Sequence, residues 1–195
     1  MVLNAFPRLI GALVNLRELS MNDAQAIADL MNYNISKYLY EVPEPYLVQD
    51  ALNFIKKAHN DFESLRALNF AIDYKGMSES KNNSNYPVFV GSIGLKNIDL
   101  INKKADLGYW IGEIYWGRGI ATECVGLIIK YAFSSSDLGL RELIAYVFPE
   151  NKASIRVLEK NGMKKKGEVN EYHEISKRHR SSLQYIIMKN DRGGN

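Results

Sequence analysis

The residues whose types and spacing most clearly predict chemistry form the run Trp116–Glu123, in which Gly117 and Gly119 stand at alternate positions. Before the run, residues 105–111 alternate between apolar and other side chains, which predicts a strand. After it, apolar residues recur at helical spacing, which predicts a helix starting near Ile120. A glycine-rich turn between a strand and a helix exposes backbone N–H groups at the positive end of the helix dipole. The run therefore predicts a site for a phosphate-bearing ligand.

The run lacks the two common nucleotide-binding signatures. A P-loop carries Lys followed by Ser or Thr after its last glycine, and Ala121-Thr122 does not supply them. The Rossmann fingerprint carries a third glycine, and Cys124-Val125 does not supply it. Glycines at such a turn can also serve only the close packing of a strand against a helix, so a purely structural role stays an alternative.

The composition is that of an ordinary globular protein. The 195 residues are 46% hydrophobic and 24% charged, which predicts one domain over 1–195 that is large enough to bury a substantial core. The tail at 191–195 is predicted to be flexible. The net charge of +3 suits an anionic ligand and is too small to indicate a nucleic-acid partner.

The residue patterns that bind metals or span membranes are lacking in the sequence. The single cysteine, Cys124, excludes an intramolecular disulfide and a cysteine-cluster metal site, and the three histidines are scattered. We therefore expect no metal. The apolar segment 9–16 is too short to span a bilayer and is interpreted as an opening strand. A cytoplasmic protein without a membrane partner is expected.

The order of the predicted elements indicates a mixed sheet flanked by helices, of the α/β or α+β class. Helices are predicted at 22–31, 49–62, 120 to about 135 and 151–160, and strands at 14–19, 70–74, 88–95, 105–112, 143–148, 165–172 and 183–189. The last two strands flank a predicted basic loop at 177–180, and residues 75–86 are predicted to form a long hairpin connection.

Six separated stretches of the sequence resemble one protein family. They are Asn15–Leu19 with Asp23-Ala24, Glu44-Pro45-Tyr46 with Asp50-Ala51 and Phe54-Ile55, Gly91–Leu95, Leu107–Trp110, Trp116–Glu123, and Asn151–Met163. Taken in order, they are similar to the GNAT family of N-acetyltransferases, in the RimJ/RimL-like branch of the ribosomal-protein alanine N-acetyltransferases. The resemblance covers about residues 14–190, and six ordered matches are more specific than any one of them.

The resemblance implies the acyl-CoA N-acyltransferase fold, with acetyl-CoA as the donor and an amine as the acceptor. In that fold a central, mostly antiparallel sheet contains two parallel strands that splay apart, here about 105–112 and 143–148. The slot between them would hold pantetheine against the backbone of Ile111. The residues expected at acetyl-CoA by the resemblance are Ile111, Trp116, Gly117, Arg118, Gly119, Ile120, Ala121, Thr122 and Asn151. Arg156 is a further candidate because its charge could meet a CoA phosphate, although charged helix faces are usually only solvated.

The sequence departs from the family at two positions. Trp116 stands where the family usually carries Gln or Arg, so side-chain help at the pyrophosphate is lost. Leu158 stands where many relatives carry a tyrosine as the acid for the departing thiolate, and the resemblance implies Ser154 as its substitute. Asn151 precedes a helix, so it can be a helix cap, a hydrogen-bond partner for pantetheine, or both.

The acceptor amine must lose a proton before it attacks a thioester, and a carboxylate, or a water ordered by one, can act as the base. Asp106 and Glu113 lie beside the first slot strand, and Glu150 follows the second. The resemblance also implies a carboxylate after the last helix, near the cluster Glu168, Glu171, His173 and Glu174. Each of these side chains can equally be an ordinary solvated group. The candidate catalytic residues are Ser154, Asn151, Asp106, Glu113 and His173.

These expectations lead to an N-acetyltransferase acting on a primary amine, most simply the N-terminal amine of a protein such as a ribosomal protein. Two alternatives stay open: acetylation of a small amine such as a polyamine or an amino sugar, and a module that binds CoA without turnover. The leucine at position 158 favours the last of these. A deep acidic pocket would indicate a polyamine, and an open groove would indicate a peptide. The exposed final strands could also mediate a homodimer.

Overall fold

The computed structural model describes residues 3, 5–39, 42–76, 87–173 and 178–192, and leaves the side chains of 171–173, 178, 191 and 192 outside the description. The strands are β1 (Leu9–Ile10), β2 (Val14–Glu18), β3 (Leu68–Tyr74), β4 (Val88–Asp99), β5 (Lys104–Ile111), β6 (Glu142–Val147), β7 (Lys164–His173) and β8 (Arg178–Met188). The helices are α1 (Ala24–Leu30), α2 (Tyr33–Ser36), α3 (Val48–Glu63), α4 (Ile120–Ser134) and α5 (Lys152–Lys160). None of the helices within the described ranges has the length and apolar character needed to cross a bilayer.

The strands form one sheet in the order β1-β2-β3-β4-β5-β6-β8-β7. All neighbours run antiparallel except β5 and β6, which run parallel. Those two strands are paired at only three positions, Lys104 with Glu142, Ala105 with Leu143 and Asp106 with Ile144. Both strands continue beyond that point, so they diverge and leave a slot between them. The mixed sheet and the splayed strands implied by the resemblance are confirmed.

An apolar cluster lies on each face of the sheet because successive strand residues point to opposite sides. Phe70 of β3 packs with Cys124 and Ile128 of α4 on one face. The next residue, Ala71, packs with Ile55 of α3 on the other face. Helix α4 therefore covers one face of the sheet, and α1 and α3 cover the opposite face.

Strand β8 begins earlier than the sequence predicted. Residues 178–180 belong to β8, although the sequence analysis assigned them to a basic loop. Cross-strand pairing explains the difference, since Glu171 of β7 is opposite Arg180 and Tyr172 is opposite His179. Residues 77–86, in the predicted hairpin connection, and 174–177 lie outside the described residues.

The first turn of α4 is tied to the start of the sheet by Glu123. Its carboxylate accepts hydrogen bonds from the backbone N–H groups of Ala12 at 2.6 Å, Leu13 at 2.8 Å and Val14 at 3.1 Å. Gly11 must be small there, since a Cβ at that position would lie 2.8 Å from the carboxylate carbon of Glu123. Glu123 thus anchors the glycine-rich turn to β2.

We expect Glu123→Ala to lower the free energy of unfolding by about 2 kcal/mol, because hydrogen bonds to a charged group contribute about 1.5–3 kcal/mol and these are partly exposed to solvent. Chemical denaturation at neutral pH measures the change. Glu63→Ala, which removes an exposed glutamate at the end of α3, is the control and should change stability by less than about 0.5 kcal/mol. Equal stabilities of the two variants would contradict the anchoring role.

Candidate active site

The turn before α4 has the backbone conformation that its glycines predict. Gly117 has φ = 77° and Gly119 has φ = 79°, which lie in the left-handed region that side chains with a Cβ rarely adopt. A Cβ at Gly117 would meet no atom within 4 Å, so conformation rather than crowding requires glycine there. Gly119 is the cap of α4, whose first residue is Ile120. The turn therefore presents backbone N–H groups at the start of a 15-residue helix.

A groove of about 1670 Å³ opens between the splayed strands and continues onto the α1–α3 side of the sheet. All the residues that the sequence placed at acetyl-CoA line this one groove: Ile111, Trp116–Thr122, Asn151 and Arg156. Ser154 lines it as well. The structure thus brings together residues from β5, the turn and α5 that are up to 45 positions apart in the sequence.

The exposed edge of β5 is oriented by its pairing with β4. The N–H of Gly112 donates to the carbonyl of Val90 at 2.8 Å, so the backbone groups of Ile111 point the other way, into the slot. The indole Nε1–H of Trp116 donates to the Ile111 carbonyl at 2.7 Å. Trp116 therefore holds the last carbonyl of the slot strand. The sequence analysis had indicated only that a side-chain contact with the pyrophosphate is lost at this position.

The start of α5 faces β5 across the slot. Asn151 caps the helix, since its side-chain oxygen accepts a hydrogen bond from the N–H of Ser154 at 3.1 Å. The hydroxyl of Ser154 lies 2.9 Å from that of Tyr109 on β5. Burial raises the pKa of Tyr109 to about 12, so its phenol stays protonated at neutral pH. A neutral phenol is the better donor of the two hydroxyls, and this leaves the Ser154 O–H available to the slot.

Two of the predicted bases lie outside the groove lining. Asp106 accepts a hydrogen bond from the Asn97 amide at 2.7 Å, at the base of the slot. Glu113 accepts one from Asn32 at 2.8 Å and another from Asn34 at 2.9 Å, which ties the end of β5 to α2. The backbone of His173 ends β7, and its side chain, like those of Glu171 and Glu174, lies outside the described residues.

Arg180 of β8, which the sequence analysis had placed in a loop, contacts two residues of the groove lining, Phe148 and Glu150. Its guanidinium lies 3.5 Å from the centre of the Phe148 ring. It donates to the carbonyl of Lys37 at 3.0 Å and to the carboxylate of Glu150 at 2.7 Å. Arg180 thus joins β8 to the segment after α2 and to the end of β6. Its charge alone carried no signal of this role.

The sequence analysis also missed Tyr109 as a site residue. It lies two positions before Ile111 and therefore on the same side of β5, a signal that an alternating strand pattern does contain. Its partner Ser154 is 45 residues away in the sequence, and only the fold shows that they meet.

Comparison with known proteins agrees with this geometry. The sequence model of one family, described as an acetyltransferase (GNAT) domain, matches residues 14–164. The chain belongs to the GNAT acetyltransferases. The Bacillus subtilis protein described as uncharacterized N-acetyltransferase YoaA is 29% identical to this GNAT chain over 168 residues, which are 86% of the chain and 88% of YoaA.

Two solved structures share the GNAT fold with this chain. Mycobacterium smegmatis RimJ in complex with CoA-disulfide superposes with a TM-score of 0.80 at 23% identity, over 93% of this chain and 85% of RimJ. Spermidine N-acetyltransferase from Vibrio cholerae, in complex with CoA and spermine, gives a TM-score of 0.74 at 20% identity, over 94% of this chain and all of that protein. At identities this low, the structural superpositions establish the common fold alone.

This GNAT protein is an acetyl-CoA-dependent N-acyltransferase. The left-handed glycines and the start of α4 fit the pyrophosphate of acetyl-CoA, because they turn several N–H groups toward one anion. The slot edge at Ile111 fits the pantetheine amides. Within the ranges that the structure describes, no group of three or more His, Cys, Asp or Glu side chains is placed to hold a metal ion.

Proposed function

We propose that this GNAT enzyme acetylates the N-terminal amine of a protein, and that its groove admits the end of a peptide chain. The observation that supports this is the state of the carboxylates in the described groove lining, which are Asp50, Asp61 and Glu150. Asp50 accepts a hydrogen bond from the Leu47 N–H at the start of α3. Asp61 is paired with Lys57 and Arg66, and Glu150 with Arg180. Two of the three are therefore neutralised by cations, so the described lining offers no cluster of free carboxylates to several ammonium groups.

A polyamine carries several ammonium groups, and its recognition requires several carboxylates that are not already neutralised. The described lining instead contains more Lys and Arg side chains than carboxylates. RimJ and the spermidine acetyltransferase share this fold, so the fold alone does not identify the acceptor, and the proposal is supported by the charges of the groove lining. The lining favours a peptide terminus.

The proton chemistry of the acceptor points the same way. An α-amino group has an ordinary pKa of about 8, whereas an alkyl ammonium such as that of lysine has one of about 10.4. An N-terminal amine therefore reaches its neutral form at physiological pH with little help, and a water held by a paired carboxylate is a sufficient base. A groove in which two of the three described carboxylates are ion-paired and the third accepts a backbone hydrogen bond suits such an acceptor.

The residues of the slot bind acetyl-CoA and protonate the departing sulfur. Acetyl-CoA supplies the acetyl group as a thioester. The N–H groups of the turn at Gly117–Ala121 hold the pyrophosphate, and Ile111 aligns the pantetheine arm. The hydroxyl of Ser154 supplies a proton at the departing sulfur, and Tyr109 orients that hydroxyl. Positioning of this kind can lower a barrier by about 7–11 kcal/mol, so one weak acid suffices.

A thiol-release assay with acetyl-CoA tests the proposal. The acceptors are a peptide with a free N-terminus and no lysine, the same peptide with its N-terminus blocked and one lysine added, and spermidine. We expect thiol release with the first acceptor and at least about tenfold less with the other two, since their amines stay protonated at neutral pH. A preference for spermidine would establish the small-amine alternative. Preference for the blocked peptide would indicate a lysine acetyltransferase.

A further inference from the structure

The groove has a floor on the α3 side of the sheet that is made by one row of residues. Asn69 of β3 pairs with Gly94 of β4, and Gly94 pairs with Gly108 of β5. Residues that pair across strands share a face, and in this row only Asn69 has a side chain beyond Cα. All three residues line the groove. The row therefore forms a shallow channel that runs from β3 to the edge of the slot.

The amide of Asn69 lies across this channel. Its Oδ1 is 2.6 Å from the point where a Cβ of Gly94 would be, so the side chain extends over Gly94 toward Gly108. Asn69 is 7% exposed. No hydrogen bond to its side chain forms with any other residue in the described part of the chain. An amide with so little exposure and no partner within the described protein is available to hydrogen-bond a ligand that enters the groove.

The remaining accessible area of Asn69 faces the groove. Among the described residues, every side-chain nitrogen or oxygen that is completely buried has a hydrogen-bond partner. The Asn69 amide has none, so its polar atoms keep access to the groove. At the far end of the row a Cβ on Gly108 would meet no atom within 4 Å. Open space thus begins beside the unpartnered amide.

This space adjoins the reacting groups. Gly108 directly precedes Tyr109, whose hydroxyl meets Ser154 on the other face of β5. The opposite wall of the groove includes the apolar side chains of Leu39 and Phe54 and the ring of Tyr46. Burial, with a smaller contribution from the charge of Asp50, raises the pKa of Tyr46 to about 12, so this wall carries no charge from Tyr46 at neutral pH.

We propose that Asn69 binds the first peptide group of the acceptor, and that the space above Gly108 holds the first side chain. This inference rests on the proposed function, since it requires a peptide terminus. The carboxamide of asparagine offers both a donor and an acceptor, which match the C=O and N–H of a peptide. A polyamine offers ammonium donors alone, and a carboxylate would serve it better than an amide.

Asn69→Leu tests the assignment, since it keeps the branched shape and the number of side-chain heavy atoms and removes both hydrogen bonds. With a peptide acceptor we expect KM for the peptide to rise about tenfold, the effect of about 1.4 kcal/mol of lost hydrogen bonding. The KM for acetyl-CoA should stay within a factor of about two. Asn15→Leu is the matched control, since Asn15 lies on β2 and outside the groove lining. It should leave both constants unchanged.

Gly108→Ala provides an independent second variant. The added methyl group meets no atom within 4 Å in the free protein, so folding should be unaffected. It fills part of the space assigned to the first side chain, so KM should rise more for peptides beginning with leucine than for those beginning with glycine. Thermal unfolding of all three variants checks that the fold is intact.

The outcomes separate this inference from the proposed function. If wild type acetylates the free N-terminus and Asn69→Leu leaves the peptide KM unchanged, the assignment of Asn69 is wrong and the proposed function stands. A parallel rise in the KM for acetyl-CoA would likewise overturn it, since the residue would then act through the fold. If wild type prefers spermidine, the proposed function fails, and the peptide assignment fails with it.

Discussion

Replacing Gly119 with alanine is expected to weaken acetyl-CoA binding by about 100-fold. Alanine at φ = 79° is strained by about 1–2 kcal/mol, and the chain can relieve the strain only by rotating the backbone. That rotation turns the N–H groups at the start of α4 away from the pyrophosphate. Each charge-assisted hydrogen bond contributes about 1.5–3 kcal/mol, and a loss of about 3 kcal/mol corresponds to roughly 100-fold in Kd. Calorimetric titration with CoA measures the change.

Gly139→Ala is the matched control for this variant. Gly139 also has a positive φ, 51°, and a Cβ there would meet no atom within 4 Å, but the residue lies in the connection between α4 and β6. Both variants should lose similar stability. If Gly139→Ala weakens CoA binding as much as Gly119→Ala does, general strain explains the effect and the turn has no special part in binding the pyrophosphate.

Ser154→Ala is expected to lower kcat about 100-fold and to leave KM for acetyl-CoA nearly unchanged. General acid catalysis contributes about 10²–10⁴-fold, and the lower end applies because a thiolate is a good leaving group. Tyr109→Phe should lower kcat by about five- to tenfold, since it removes one hydrogen bond that orients Ser154 and leaves the hydroxyl in place. Steady-state kinetics with the preferred acceptor provide both constants.

The double variant tests whether the two hydroxyls act as a unit. If Tyr109 acts through Ser154, then Tyr109→Phe should have little further effect once Ser154 is alanine, so the two changes will not be additive. Ser134→Ala, which removes a serine hydroxyl bonded within α4 at Lys130, is the control. A Ser154→Ala enzyme with kcat within threefold of wild type would exclude Ser154 as the proton donor.

The glycine-rich turn could be predicted from the sequence because its requirement is local. Gly117 and Gly119 adopt conformations that few other residues tolerate, so their spacing alone indicates the turn. The helix that follows is equally local, since its apolar residues repeat with the helical period. The same holds for α3 and α5, and the structure confirms all three helices.

The contacts of the site could not be predicted in this way because they join distant residues. The indole of Trp116 bonds to a backbone carbonyl, and a sequence motif records side chains only. Glu113 and Asp106 stand beside the slot strand in the sequence, but the fold directs both carboxylates to asparagine amides. Asn69 appears in the sequence as an ordinary strand residue. Its neighbours in the same row of the sheet are Gly94 and Gly108, which have no side chains to bond to its amide.

The pairing of β5 with β6 at only three positions is expected to link the folding stability of this enzyme to the acetyl-CoA concentration in the cell. Strands β1–β5 form one half of the sheet, and β6, β8 and β7 form the other, so direct strand pairing between the halves is short. Under the proposed mode of binding, acetyl-CoA occupies the slot where β5 and β6 are not paired and adds hydrogen bonds to the edge of β5 there. A ligand at 100 times its Kd stabilises the folded chain by about 2.7 kcal/mol. We therefore expect the enzyme to be degraded more slowly in a cell that is rich in acetyl-CoA.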